Sequence, residues 1–466
     1  MRFQVTTAEN KYQEMIQGPL GKAITKMAVP AVIGNIVAII YNLTDTFYVG
    51  LLGTADSAAS GVVMPLMIMI QSCGLLLGMG AANLLSVELG RKNIKRGQEL
   101  VMTAFYSTLV FGLLIMVIGL CFRTPLSWIL GSTRTIEPLA VQYMFPLLCS
   151  APFYAASFVL NPTLRFQGLA NDSAIGTVIG AILNIGLEPI FIFTFHLGML
   201  GAGIATAICQ TISFLILLIL YIKKAIVPFK SSCFTFRGEL WREMLATGFP
   251  SFSRNMMLAV SSDMLNLAAN PYGDVAIAAM TIVTRILTLS NTAQIGVSQG
   301  YQTVCGFNYG AQLHYRVRRG YWMVVRTTAI FLTIISILQI IFAPHLVRLF
   351  QSDPSVVRLG SEALRIDSIT FTVQAFIVVS NQMEQTLGHQ VISTITGFGR
   401  QGLFLIPALF IFPHFFGFIG VMISQPVSDI CTFLMTVPLQ TYVLRSLRTE
   451  EKNHQNNLTS TVESEE

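Results

Sequence analysis

Charge is what this sequence lacks most. Asp, Glu, Lys and Arg together make up 11% of its 466 residues, against about 25% in an average soluble domain. A chain of this length would need a large soluble surface, and so few charges cannot supply one. The scarcity of charge also excludes intrinsic disorder and the basic–aromatic modules that bind nucleic acid. The cysteines number seven, an odd count without metal-like spacing, so neither a disulfide framework nor a zinc site is expected. His196, His314, His345, His389, His414 and His454 are scattered, no metal site is drawn from them, and no P-loop is present. What is abundant is apolar residues: 53% hydrophobic, with 36 glycines and a mean hydropathy of +0.64.

Twelve apolar stretches are long enough to cross a bilayer: residues 24–49, 58–83, 98–122, 137–161, 172–195, 199–222, 243–269, 275–300, 319–343, 357–383, 394–413 and 417–444. The basic residues are sorted around them. Of the 29 Lys and Arg, 21 lie in the two terminal segments and in the loops after even-numbered spans. The opposite side holds Arg123, Arg134, Arg348 and Arg358, and Arg254, Arg285, Arg326 and Arg365 fall inside spans. The positive-inside rule then places both termini in the cytoplasm. The first 23 residues are polar and mixed in charge, so no cleavable signal peptide is expected.

The chain repeats itself at an offset of 220 residues. Pro30 falls on Pro250, Gly53 on Gly273, Gly80 on Gly300, Gly90 on Gly310, Asn161 on Asn381 and Gly168 on Gly388. Late in the chain the register slips by a residue or two, Gly198 and Gly201 pairing with Gly417 and Gly420. Six spans per half give two halves facing the membrane alike, a parallel repeat around a central cavity, which is the architecture of alternating-access transport. The expected divisions are a cytoplasmic segment 1–23, a six-helix lobe 24–222, a cytoplasmic linker 223–242, a second lobe 243–445 and a disordered cytoplasmic tail 446–466.

Acids inside a membrane are costly and default to functional candidates. The repeat acts as an internal control. Asp45 of span 1 maps to Leu265, Asn184 of span 5 to Phe404, Glu188 to Ala408, and Thr206 of span 6 to Pro426, so the second half is built without these polar groups. All lie in the outer part of their spans, and Asn184 and Glu188 share one helical face at i and i+4. Two carboxylates, an amide oxygen and a hydroxyl suit Na⁺ or a shared proton; the alternative is a hydrogen-bonded cluster that stabilises the lobe. In the second half Arg254, Asp263 and Arg285 are candidates to contact substrate, although Asp263 and Arg285 could equally form a structural pair. Pro30 frees a backbone carbonyl and lets span 1 bend below Asp45, a gating role. Gly74–Gly78, Gly176–Gly180 and Gly296–Gly300 read as close helix-packing sites.

With these residues in place, the sequence resembles the multidrug and toxic compound extrusion (MATE) transporters over about residues 20–445. The resemblance is carried by Val29-Pro30 followed by Asp45-Thr-Phe-Tyr-Val-Gly50, by Asn184-Ile-Gly-Leu-Glu-Pro-Ile-Phe-Ile-Phe193, and by Gly306-Phe-Asn-Tyr-Gly310. Arg400-Gln-Gly402 and Ser424-Gln-Pro-Val-Ser-Asp429 add to it. It implies twelve transmembrane helices in two pseudo-symmetric lobes and export of organic compounds in exchange for Na⁺ or H⁺, with no other cofactor. The family's span-1 aspartate, span-5 asparagine and span-6 threonine match Asp45, Asn184 and Thr206, and its span-5 aspartate is replaced by Glu188. Other branches place acids in spans 7 and 10, where this chain has Asp263 and, near the second position, Gln374. The expected protein is a non-enzymatic, monomeric antiporter of a bacterial inner membrane, with a lipid bilayer and a small, amphipathic and cationic substrate as its partners. A flippase for a lipid-linked precursor is the alternative.

Overall fold

The computed structural model describes Glu9 and residues 11–465, with side chains up to Asn453. Residues 1–8 and Asn10 of the N-terminal segment, and Glu466 of the tail, lie outside the described residues. Among the described residues there is no strand. Twelve long helices follow one another: α1 Leu20–Leu52, α2 Thr54–Gly90, α3 Ile94–Cys121, α4 Glu137–Phe166, α5 Ala170–Thr194, α6 Gly198–Lys224, α7 Gly238–Ala269, α8 Asp274–Gly310, α9 His314–Arg348, α10 Pro354–Thr386, α11 Gln390–Phe416 and α12 Phe418–Glu465. A short helix, Arg123–Ile129, joins α3 to α4. Several helices outrun the apolar stretches that locate them. At 1.5 Å per residue, the 37 residues of α2 or α8 extend about 55 Å, nearly twice the hydrocarbon core.

Eleven of the twelve are long and apolar enough to span a membrane. The exception is α7, 32 residues long but interrupted by Ser251, Ser253, Arg254, Asn255, Ser261, Ser262 and Asp263. At the other end, the polar tail read from composition as disordered continues as helix. α12 runs unbroken through Glu465, and Glu451 near its end accepts from Arg318 of α9 at 2.5 Å. A neighbouring helix that offers such a partner lets a polar sequence propagate helix where it would fray alone.

The chain divides into two compact units. One is Met1–Tyr12 with Val29–Phe252, the other Gln13–Ala28 with Ser253–Glu466. One division falls between Tyr12 and Gln13, and the other two fall inside α1 and α7, beside Pro30 and Pro250, where local packing explains them. In the first unit Gly80 of α2 lies against the Met244 backbone of α7, Gly248 lies against Leu76, and Arg96 Nη2 pairs with Glu243 at 2.6 Å. In the second unit Gly300 of α8 lies against Ala28 of α1, Asn308 Nδ2 donates to the Met15 carbonyl at 3.2 Å, and Arg316 Nη2 donates to the Gly18 carbonyl at 2.7 Å.

Within each unit the repeat is visible as shared joinery. Gly168 and Gly388 take φ of 77° and 85° in the turns after α4 and α10, where a side chain would be strained. The repeated asparagines fasten those same turns: Asn161 Nδ2 donates to the Ser173 carbonyl at 3.1 Å, and Asn381 Nδ2 to the Ser393 carbonyl at 2.5 Å. In the first unit Gly74 and Gly78 let α2 meet α4 backbone to backbone, since a Cβ on Gly78 would overlap the Phe158 carbonyl.

The second unit is also held by a buried polar knot across α10, α11 and α12. Asp429 Oδ1 accepts from Arg400 Nε at 2.7 Å and from Gln425 Nε2 at 3.2 Å; its Oδ2 accepts from Gln374 Nε2 at 2.8 Å and from Thr370 Oγ1 at 3.4 Å. Asp429 is 1% exposed. An acid so enclosed needs its donors, and removing the cation strands the anion.

Two outcomes follow for stability in detergent. Gly78→Val should destabilise the protein by at least about 1–3 kcal/mol through overpacking, while Gly61→Ala, with nothing within 4 Å of the added carbon, should melt like the parent. Arg400→Gln should cost about 3–5 kcal/mol, and a paired Asp429→Asn should recover part of that loss in the double variant. Thermal melts followed by intrinsic fluorescence read both.

Candidate functional site

The first unit gathers a set of acceptor oxygens from four helices. α1 brings Asp45 and Tyr41, α4 brings Tyr143, α5 brings Asn184 and Glu188, and α6 brings Thr206. Helical spacing does the local work. Asn184 and Glu188 stand one turn apart on the inward face of α5, and both are fully buried. Immediately after Glu188, Pro189 ends the α-helical ladder and Ile190–Thr194 continue as a π-helical turn. Such turns often accompany functional positions, because they free backbone groups and re-aim side chains.

Asn184 Nδ2 donates to Thr206 Oγ1 at 3.2 Å, which points the amide oxygen away from the threonine. Asp45, half-buried, lies beside Glu188, Tyr143 and Thr206. The acceptors that remain are conspicuous. Asp45 Oδ1, Asn184 Oδ1 and both carboxyl oxygens of Glu188 are buried without any hydrogen-bond partner. Oxygens left this way are costly, and two carboxylates side by side cannot both stay ionised without a cation. Hard, convergent oxygen donors of this kind fit Na⁺, or one proton held between the acids.

The four residues singled out by the repeat comparison, Asp45, Asn184, Glu188 and Thr206, are therefore neighbours. Pro30 lies on the same helix as Asp45, and α1 is helical straight through it from Leu20 to Leu52. The proline ring still removes the amide that would bond the Lys26 carbonyl.

The candidates of the second unit do not assemble. Arg254 is half-buried and donates from Nη1 to Asn381 Oδ1 at 2.8 Å, so that asparagine serves both the turn and the arginine. Asp263 and Arg285 are both exposed and make no ion pair with each other, which removes the structural-pair reading of them. Their spacing on neighbouring spans predicts a bridge, and the structure leaves both exposed instead.

Sequence reasoning passed over two acids of the second unit. Asp367 of α10, 4% exposed, leaves Oδ1 without a partner near the Asp429–Arg400 knot, and Glu384 is 0% exposed with both oxygens unpartnered. The signal was present. Mapped back by 220, Asp367 falls on Leu147, Glu384 on Leu164, Arg400 on Gly180 and Asp429 on Cys209, so none has a polar counterpart.

Known proteins bear on this geometry. A family model described as MatE matches residues 30–190 and 250–411. The multidrug export protein MepA of Staphylococcus aureus (strain MRSA252) is 26% identical over 431 residues, covering 92% of this chain and 95% of that protein. Among solved structures, an outward-facing multidrug resistance MATE family transporter of the MOP superfamily superposes with a TM-score of 0.86 at 24% identity, over 93% of this chain and 98% of that one. A MATE in the bent conformation gives 0.88 at 24% identity, over 95% and 99%. At these identities the structures carry the fold alone, and the family rests on the model match to well over half of the chain. With that match falling once in each six-helix half of an all-helical, multi-pass membrane protein, the chain belongs to the MatE family of transporters.

Proposed function

We propose that this chain exports organic compounds across a bacterial cell membrane in exchange for Na⁺ or H⁺, and that the exchanged cation binds at Asp45, Asn184, Glu188 and Thr206. The observation that carries the reading is the set of four buried, partnerless acceptor oxygens on α1 and α5. An acid kept only for stability would be expected to have both its oxygens satisfied, as those of Asp429 are. The name of the S. aureus relative, a multidrug export protein, supports organic compounds as the cargo.

The cation enters from the side opposite the basic loops, and both termini are cytoplasmic. With the site empty, the paired acids repel; with a cation bound, α1, α5 and α6 are drawn together. α1 is the element best suited to respond. It carries Asp45, and Pro30 leaves it without one rung of its hydrogen-bond ladder about four turns below. Pro30 thus acts as the hinge of a gate that alternates access to the site. The substrate is amphipathic and cationic, competing with the cation for the negative field of the first unit. Exposed Asp263 and Arg285 and half-buried Arg254 give the second unit polar groups for the substrate's other functions. The protein works as a monomer, each chain holding a complete set of site residues.

Efflux of a fluorescent organic cation from proteoliposomes, with Na⁺ and pH gradients imposed separately, tests the reading. Transport should respond to one gradient, which names the ion. Asp45→Asn should lower gradient-driven efflux about 5–150-fold, the span of a coupling free energy of about 1–3 kcal/mol, with expression intact; undiminished efflux would remove the site. Thr206→Val, which deletes one ligand, should leave the maximal rate near the parent's and raise the half-saturating cation concentration about tenfold.

A further inference from the structure

The second unit contains an acid that this exchange does not use. Glu384 lies in the last turn of α10, 0% exposed, and neither carboxyl oxygen has a hydrogen-bond partner. In the turn after α10, the His389 amide donates to the Glu384 carbonyl at 3.0 Å. From α8, Gln302 Nε2 donates to Gln385 Oε1 at 3.2 Å, beside the acid but not to it. From α9, the Tyr321 hydroxyl is engaged with Ser380 at 2.8 Å. From α11, the Thr396 hydroxyl adjoins the carboxyl and is the side-chain donor beside it. From α12, Gln440 Nε2 donates to Met383 Sδ at 3.3 Å. Arg254 of α7 is held by Asn381, one helical turn before Glu384.

These surroundings decide the charge of the acid. A carboxylate buried this deeply without an ion partner is several kcal/mol out of place in such a medium. Glu384 therefore holds its proton in this conformation. The residue is not a requirement of the fold either. Its repeat counterpart is Leu164, also 0% exposed, so the same turn is built elsewhere in this chain with a purely apolar side chain.

We propose that Glu384 is a second, exchangeable proton-binding site, at the end of α10 that faces the basic loops, and that Arg254 is its counter-cation when the proton leaves. In the step, the O–H bond of the acid breaks, the proton passes to water admitted at that end, and the carboxylate takes Arg254 from the neutral Asn381 oxygen. The reverse step returns Arg254 to Asn381 as Glu384 is reprotonated and buried. The side chain lies one turn from a residue that already holds the guanidinium, so the exchange needs only a shift of about one turn along α10. The site belongs to the second unit and stands whether or not Asp45 and Glu188 bind the exchanged cation.

Infrared difference spectroscopy of the full-length protein in lipid nanodiscs, with bath pH stepped, reads protonated carboxyls directly. The wild type and Asp45→Asn should both show a carboxylic-acid C=O component that falls as the bath is made alkaline, and Glu384→Gln should lack that component while those of the other buried acids remain. Arg254→Gln should shift the fall of that band to more alkaline pH, since the carboxylate loses its partner. A band unchanged in Glu384→Gln would overturn the proposal, and so would one that is lost in the variant but does not respond to pH in the wild type. Glu384→Leu, which installs the residue of the repeat counterpart, should fold and equally lack that component, guarding against a variant that fails to assemble. Loss of gradient-driven efflux in Asp45→Asn with the Glu384 band intact would separate the two sites.

Discussion

An acid buried in a membrane protein cannot remain both charged and alone, and the organisation of this chain follows from that constraint. The two units share a helical frame and differ in how they meet it. The second unit gives Asp429 a permanent cation in Arg400 and closes the rest of its lone pairs with Gln374, Gln425 and Thr370. The first unit assembles Asp45, Asn184 and Glu188 with no cation of its own and leaves four acceptor oxygens open. One arrangement is static because its charge is built in. The other leaves room for a mobile charge, and on the proposed function that charge is the exchanged cation.

The backbone is adapted at the same places. Each unit contains a π-helical stretch in its fifth helix: Ile190–Thr194 directly after Glu188, and Gly399–Phe404 around Arg400. Near the opposite ends of the spans, glycine and asparagine joints repeat almost unchanged between the units. The shared joints preserve the frame, and two of the variable groups, Glu188 and Arg400, sit beside or within the π-helical stretches. Placing functional side chains at such departures lets their identity change without rebuilding the spans.

Much of this was legible in the sequence because the bilayer filters composition so strongly. Scarce charge fixed the class, the sorting of Lys and Arg ordered the spans, and the 220-residue offset exposed the repeat. Asp45, Asn184, Glu188 and Thr206 stood out by lacking counterparts, and the structure brings them together. What was illegible has physical causes. Asp367 and Glu384 are acids of the second half, and a comparison run only from the first half to the second does not single them out. Asp263 and Arg285 looked like a pair because their helices adjoin, but rotation about a helix axis is not written in spacing alone. The tail beyond 446 is polar enough to read as disordered, yet the Arg318–Glu451 contact lets α12 continue.

The central claim is that the organic substrate and a cation compete through the Asp45–Glu188 cluster, and equilibrium linkage tests it without transport. Affinity of the purified protein for a fluorescent organic cation should be measured by titration across Na⁺ concentration at fixed pH, and across pH without Na⁺. The account requires one of these cations to weaken substrate binding about 5–150-fold, with a reciprocal effect of substrate on the cation and no such effect in Glu188→Gln. An affinity indifferent to both Na⁺ and pH, or a linkage that persists unchanged in Glu188→Gln, would contradict it.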